Sequence, residues 1–315
     1  MGSAGIPKPA TGAAEQRVGI GLGLLAVGCF SVAPVFVLVA NPPFSALEIA
    51  FWRVAIGAGF VGVLGLATRT AMRLGRGEWR RFVLYGLTLA IHLSAYVAAL
   101  SFTSIAHAVA LTYTSPIFIA VLAAIFLGER PRVGTLVGLA VALGGIALLS
   151  GFQPDFGQCN IGQGHCVLFG DGLALVAALF SAIYSLGGRL ECERHPLFRY
   201  TFHVYGFAAL WLLPVAAALA WRHGYPLGAV GAVAALGIVP LGMGHTLYNA
   251  ALRRANPTLI NLVITQEITG GIILGAIFLH QIPQPLTLVG VAITLVGIAI
   301  VMLNPAGIAT SDVVE

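Results

Sequence analysis

Residues Ala124–Leu149 read AIFLGERPRVGTLVGLAVALGGIALL, and residues Ala276–Val301, 152 positions later, read AIFLHQIPQPLTLVGVAITLVGIAIV. Fourteen of the 26 paired positions are identical without a gap. The same offset lays Tyr96-Val97-Ala98-Ala99-Leu100 on Tyr248-Asn249-Ala250-Ala251-Leu252. So long a match at one fixed period marks a duplicated unit. The chain must fold as two copies of one design, and function is expected where the copies differ.

Only 9% of the residues are charged and 58% are hydrophobic, against about 25% charged in a soluble domain. Such a chain cannot cover itself with polar surface, so its solvent is lipid. Ten apolar segments are each near the roughly 20 residues that a spanning helix needs: 18–40, 45–68, 80–101, 106–127, 133–151, 168–190, 198–220, 227–252, 258–279 and 285–304. With the N-terminus inside, 14 of the 16 basic residues fall on the cytoplasmic side, as the positive-inside rule requires. The basic excess therefore orients the chain in a membrane, and no basic run interleaved with aromatics points to nucleic acid.

Five spans per copy is an odd number, so the second copy must enter from the opposite face. The expected fold is an all-α integral membrane protein of ten transmembrane helices, arranged as two inverted-topology five-helix repeats. The expected division is a cytoplasmic tail 1–17, a first repeat 18–151, an outer loop 152–167, a second repeat 168–304 and a cytoplasmic tail 305–315. The setting is a bacterial inner membrane, crossed many times, with both termini cytoplasmic. Inverted repeats of this kind are typical of secondary transporters, whose substrate site lies near the midplane between the copies. One chain holds both halves, so a monomer suffices, although a dimer is compatible with the sequence.

Several short motifs occur in a fixed order: Phe51-Trp52-Arg53, Ser115-Pro116, Leu127-Gly128-Glu129-Arg130 and Gln266-Glu267. In that order, across a five-plus-five repeat, the chain resembles the drug/metabolite transporter superfamily, in particular its EamA-type ten-helix branch. The resemblance covers roughly residues 18–303. It implies transport of small organic solutes, very often export, without ATP hydrolysis. Members of the branch export amino acids and aromatic compounds, and others carry nucleoside-like metabolites. Two positions depart from the pattern: Ile268 stands where the family often has Pro, and His280-Gln281 replaces a second Gly-Glu.

The intramembrane polar residues are the candidate substrate contacts. Glu267 lies about nine residues into its span, and an ionisable group there costs about 2.5–3.5 kcal/mol or more unless it meets water or a partner. It suits proton coupling or the binding of an amino group; the alternative is a structural pair. Arg53 would take a substrate carboxylate or neutralise Glu267; the alternative is snorkelling to the headgroups. Trp52 beside it would stack on a ring. His245, Tyr248 and Asn249 share one helix face at i, i+3 and i+4, and Tyr85, His92 and Tyr96 form a second stripe. Both stripes read either as cavity lining or as interhelical hydrogen bonding. Tyr113, Ser115 and Gln266 complete the candidate set.

Glu129 and Arg130 at the end of the fourth span are candidate gate residues, or a static interfacial pair. Pro240, set among Gly237, Gly242 and Gly244, is a further gate candidate as a broken helix lining a cavity, or else a static kink. Cys159 and Cys166 in the outer loop are placed for a structural disulfide in an oxidising compartment. With His165 they would supply only three ligands, short of zinc's four, so no metal is expected. No phosphate loop and no hydrolase or metalloprotease motif occurs, so neither a cofactor nor an enzymatic reaction is expected. Partners are a small-molecule substrate and membrane lipid. The alternatives are uptake of a nucleoside-like metabolite, a membrane enzyme using His92, His245 and Glu267, and a lipid scramblase or accessory subunit.

Overall fold

A computed structural model of the chain describes residues 13–75, 77–126, 132–149, 166–192, 194–219, 224–252, 254, 260 and 263–304. The protein is all-α, a ten-helix membrane fold. The first crossing is made by α1 (Ala13–Ser31) and α2 (Ala33–Ala40), the second by α3 (Ala46–Ala67) and the third by α4 (Trp79–Phe102). The fourth is divided into α5 (Ile105–Thr112) and α6 (Ser115–Phe126), and α7 (Val133–Leu149) is the fifth. The second half begins with α8 (Val167–Cys192) and α9 (Leu197–Leu219). The eighth crossing runs through α10 (Leu227–Leu236), a π-helical stretch Gly237–Gly244 and α11 (His245–Leu252). The ninth ends in α12 (Glu267–Leu279), and α13 (Pro285–Leu303) is the tenth. Six of these crossings are long and apolar enough to span a membrane, and shorter apolar helices supply the other four.

Large apolar side chains such as Leu66, Leu84, Leu227 and Phe278 are exposed on the outside of the bundle. In water they would drive aggregation; on a lipid-facing surface they match the solvent. Polar signals mark the helix starts. Ser45 and Glu48 form a reciprocal capping box at the start of α3, which satisfies two backbone donors that lipid could not. Ser104 caps α5 by accepting from the His107 N–H at 3.3 Å.

The packing has the symmetry that the repeat demands. α4 lies on α8, and the equivalent crossing α10–α11 lies on α1. α3 packs on the π stretch, and its mate α9 packs on α4. Three pairs map onto themselves: α3 with α9, α5 with α12, and α7 with α13. A two-fold axis in the membrane plane must run through those three.

The α7–α13 pair shows the axis at the atomic level. A Cβ on Gly138 would meet the Gly297 carbonyl oxygen at 2.9 Å, and one on Gly145 would meet that of Gly290 at 2.9 Å. Gly138 and Gly290 are repeat equivalents, and so are Gly145 and Gly297. Each contact is therefore the image of the other, and no larger side chain fits at either.

Three crossings expected as single helices are interrupted. The first breaks at Val32, with Pro34 in the first turn of α2. The fourth breaks at Tyr113–Thr114 and the ninth at Thr265–Gln266, and these two breaks are equivalent at the 152-residue offset. Prolines inside apolar runs read as kinks; Pro34 and Pro116 instead fall in the first turns of new helices, where a missing N–H costs nothing. Pro240 sits in the π stretch. A proline there removes one ladder donor, and the wider turn absorbs the mismatch.

Candidate functional site

The interrupted crossings bring a small set of polar groups together where the two repeats meet. Arg53, on α3, is 6% exposed. Its position depends on a close approach between α3 and the π stretch: a Cβ on Gly237 would strike Ile56 at 2.6 Å and the Arg53 carbonyl at 3.1 Å. Arg53 Nε and Nη1 have no hydrogen-bond partner among the described residues. Glu267, 9% exposed, is the first residue of α12, where the helix dipole favours a carboxylate. The Tyr113 hydroxyl, from the break between α5 and α6, donates to Glu267 Oε2. Arg53 lies within electrostatic reach of Glu267, Tyr96, Tyr113 and Tyr205.

Two imidazoles border this centre. His92 Nδ1 lies 2.8 Å from the Ala177 carbonyl oxygen. A carbonyl can only accept, so Nδ1 carries a proton. The His245 ring meets Phe30 edge-on at 5.1 Å and Tyr205 at 6.4 Å. A narrow crevice between α3, α9 and the π stretch reaches His245, lined by Val61, Leu197, Thr201, Tyr205 and Leu241. Around the centre, the hydroxyls of Ser94, Tyr96 and Thr112 have no hydrogen-bond partner among the described residues.

Of the residues singled out from the sequence, the fold gathers Arg53, His92, Tyr96, Tyr113 and Glu267, with His245 and Tyr248 alongside. Tyr248 packs against the Ala26–Phe30 cluster, and it and Tyr96, its repeat equivalent, both lie within electrostatic reach of Tyr113. Ser115 is half-buried one residue past the fourth-crossing break. Trp52 is 42% exposed, Gln266 is exposed, and Tyr85 lies further off, within electrostatic reach of Glu191. Pro240 is buried. Glu129, Arg130 and Cys159 lie outside the described residues, as does the side chain of Asn249. Cys166 is disulfide-bonded. Phe30 and Tyr205 were not anticipated: in an apolar helix one aromatic reads like another.

Both faces of the bundle are bridged. On the face away from the N-terminus, Asn41 Nδ2 donates to Ser101 Oγ at 2.6 Å, and Asp171 accepts from Thr103 at 2.8 Å and pairs with His107 at 3.2 Å. Tyr225 stacks on Phe44 at 4.2 Å and donates to Glu48, which pushes its phenol up to about 12. On the N-terminal face, buried Glu191 pairs with Arg81 at 2.8 Å and with His195 at 3.4 Å, and His195 lies 3.5 Å from Glu78. The Gly75 N–H, 2.6 Å from Glu78, holds that carboxyl below its ordinary range, helped by His195, Arg81 and Arg199. Among the described residues no cluster of three His, Cys, Asp or Glu is placed to hold a metal ion.

The EamA-like transporter family matches residues 17–151 and again residues 168–303. The chain belongs to that family. It is therefore a multi-pass membrane transporter of the secondary kind for a small organic solute, not an enzyme. Among its relatives is the "Pseudopaline exporter CntI" of Pseudomonas aeruginosa, 28% identical over 282 residues, covering 87% of this chain and 92% of the relative. A "Probable terminal-alkyne amino-acid exporter" of Streptantibioticus cattleyicolor is 25% identical over 263 residues, 81% of each chain. An "Uncharacterized transporter" of Archaeoglobus fulgidus is 29% identical over 219 residues, 70% of this chain and 73% of the relative. A solved crystal structure, 19% identical, superimposes with a TM-score of 0.63 and covers 91% of this chain and 98% of its own; at that identity the likeness is one of fold.

Proposed function

We propose that this transporter exports an amino-acid-type solute by alternating access from a bacterial cytoplasm, and that Arg53 takes the solute's carboxylate. The observation that carries the reading is the buried guanidinium itself, with two N–H-bearing nitrogens unpartnered beside Glu267. A carboxylate accepts two parallel hydrogen bonds from such a group. Glu267 then serves the solute's ammonium or a proton in turn, which would couple export to proton entry. The phenyl and imidazole edges of Phe30, Tyr205 and His245 suit an apolar or aromatic side chain. Two relatives named as exporters, one of an amino acid, support the substrate class and the direction.

In this reading both termini are cytoplasmic, a monomer is sufficient, and the bridges on the two faces part alternately. The test is counterflow in proteoliposomes, screening amino acids, polyamines, nucleosides and aromatic cations. Amino acids should exchange. Arg53→Gln should raise the KM for them at least about tenfold, the equivalent of about 1.4 kcal/mol of binding. Glu267→Gln should remove the pH dependence of flux. Exchange of amino acids by a folded Arg53→Gln protein at wild-type KM would exclude the carboxylate role.

A further inference from the structure

We propose that Tyr113 is the specificity-determining residue of this site: its hydroxyl occupies Glu267 in the empty transporter, and a solute must bring an amino group to displace it. The inference rests on the reading above, in which Arg53 and Glu267 grip an amino-acid-type solute.

The geometry is particular to this pair. Tyr113 is the first residue of the turn that interrupts the fourth crossing, and Glu267 follows the equivalent turn in the ninth. At the repeat offset Tyr113 corresponds to Thr265, and Glu267 to Ser115. The copies thus placed a long hydroxyl on one break and a carboxylate on the other. Their hydrogen bond crosses from one repeat to the other. No other side chain is hydrogen-bonded to Glu267 among the described residues. Without Tyr113, the buried carboxylate would have Arg53 within electrostatic reach but no hydrogen-bond donor among the described residues, a state that costs free energy.

Two consequences follow. The phenol competes with an incoming ammonium for the same carboxylate, so it weakens binding of every amine-bearing solute by the worth of one hydrogen bond. The same bond also ties together the two halves that must move apart. A solute with a carboxylate but no amine can fill the Arg53 end and still leave the tie intact. Such a solute should bind and transport poorly. Selectivity for amino acids over simple carboxylic acids then arises from what must be broken as well as from what is formed.

Counterflow of phenylalanine and of its des-amino analogue hydrocinnamate tests this. The wild-type protein should move phenylalanine and largely ignore hydrocinnamate. Tyr113→Phe should lower the KM for phenylalanine about two- to tenfold, the worth of one net hydrogen bond, and raise the hydrocinnamate rate. Tyr113→Thr, which shortens the side chain to that found at Thr265, should behave the same way and serves if Tyr113→Phe does not fold. Equal wild-type rates for the two solutes overturn the proposal without any variant. So does a folded variant with wild-type KM and selectivity, or one that slows both solutes equally. Those results leave the underlying reading standing if Arg53→Gln and Glu267→Gln still impair exchange. Absence of phenylalanine counterflow by the wild-type protein overturns both.

Discussion

Arg53 and Glu267 were legible because charge inside an apolar run has few explanations. What the sequence could not supply was their company. Tyr205 and Phe30 sit at helix positions that any packing aromatic would fill, and the pairing of Glu48 with Tyr225 joins residues 177 positions apart. His107 and His195 read simply as residues near the membrane edges; each instead meets a buried carboxylate, Asp171 and Glu191 respectively. The Tyr225 contact has a definite signature in alkali. Its phenol is neutral, and the bond to Glu48 complete, below tyrosine's ordinary value of about 10. Because the folded value is raised, that contribution is lost only as the pH rises through about 12. Alkaline titration of phenolate absorbance should show one phenol ionising near that pH, and Tyr225→Phe should lack it.

The helices divide into those the repeat keeps alike and those it lets differ. α7 and α13 were legible as equivalents from their residues, and their contact is nearly self-symmetric. Gly134 and Gly138 have the four-residue spacing of small residues that favours close packing, and the structure supplies the partner surface. Gly145→Leu would force a branched side chain against the Gly290 carbonyl and Thr294. It should destabilise the fold by about 1–3 kcal/mol, measurable as a lowered thermal unfolding midpoint in detergent. The helix interruptions were harder to read. Tyr113–Thr114 and Thr265–Gln266 contain neither glycine nor proline, so local propensity gives no warning. Pro116 was the available signal, and it marks the start of a helix, not a bend within one. Only the fold shows that the two breaks coincide under the repeat.

Ten crossings, odd repeats and inverted entry followed from counting apolar runs and basic residues. The whole molecule adds that both faces are bridged at once. In the alternating-access reading proposed above these bridges open in turn, so fixing one should stop the cycle. Thr103→Cys with Asp171→Cys replaces a 2.8 Å contact between the two repeats by a pair that an oxidant can close. Oxidation should abolish counterflow and a reductant should restore it, with the wild-type protein, treated identically, as control. Unaffected flux in the oxidised double variant, with the crosslink verified by mass spectrometry, would mean that this face opens elsewhere.

The glycine contacts of α7 and α13 carry one more consequence. When two bodies turn against each other about a line, every atom travels in proportion to its distance from that line. If the two repeats rock about their two-fold axis, Gly138, Gly145, Gly290 and Gly297 lie beside that line and travel least, so backbone stays against backbone there. His107–Asp171 and Arg81–Glu191, which join the two repeats on opposite faces, lie farther from the line. A rotation small enough to preserve the first set of contacts is multiplied into a displacement large enough to break the second.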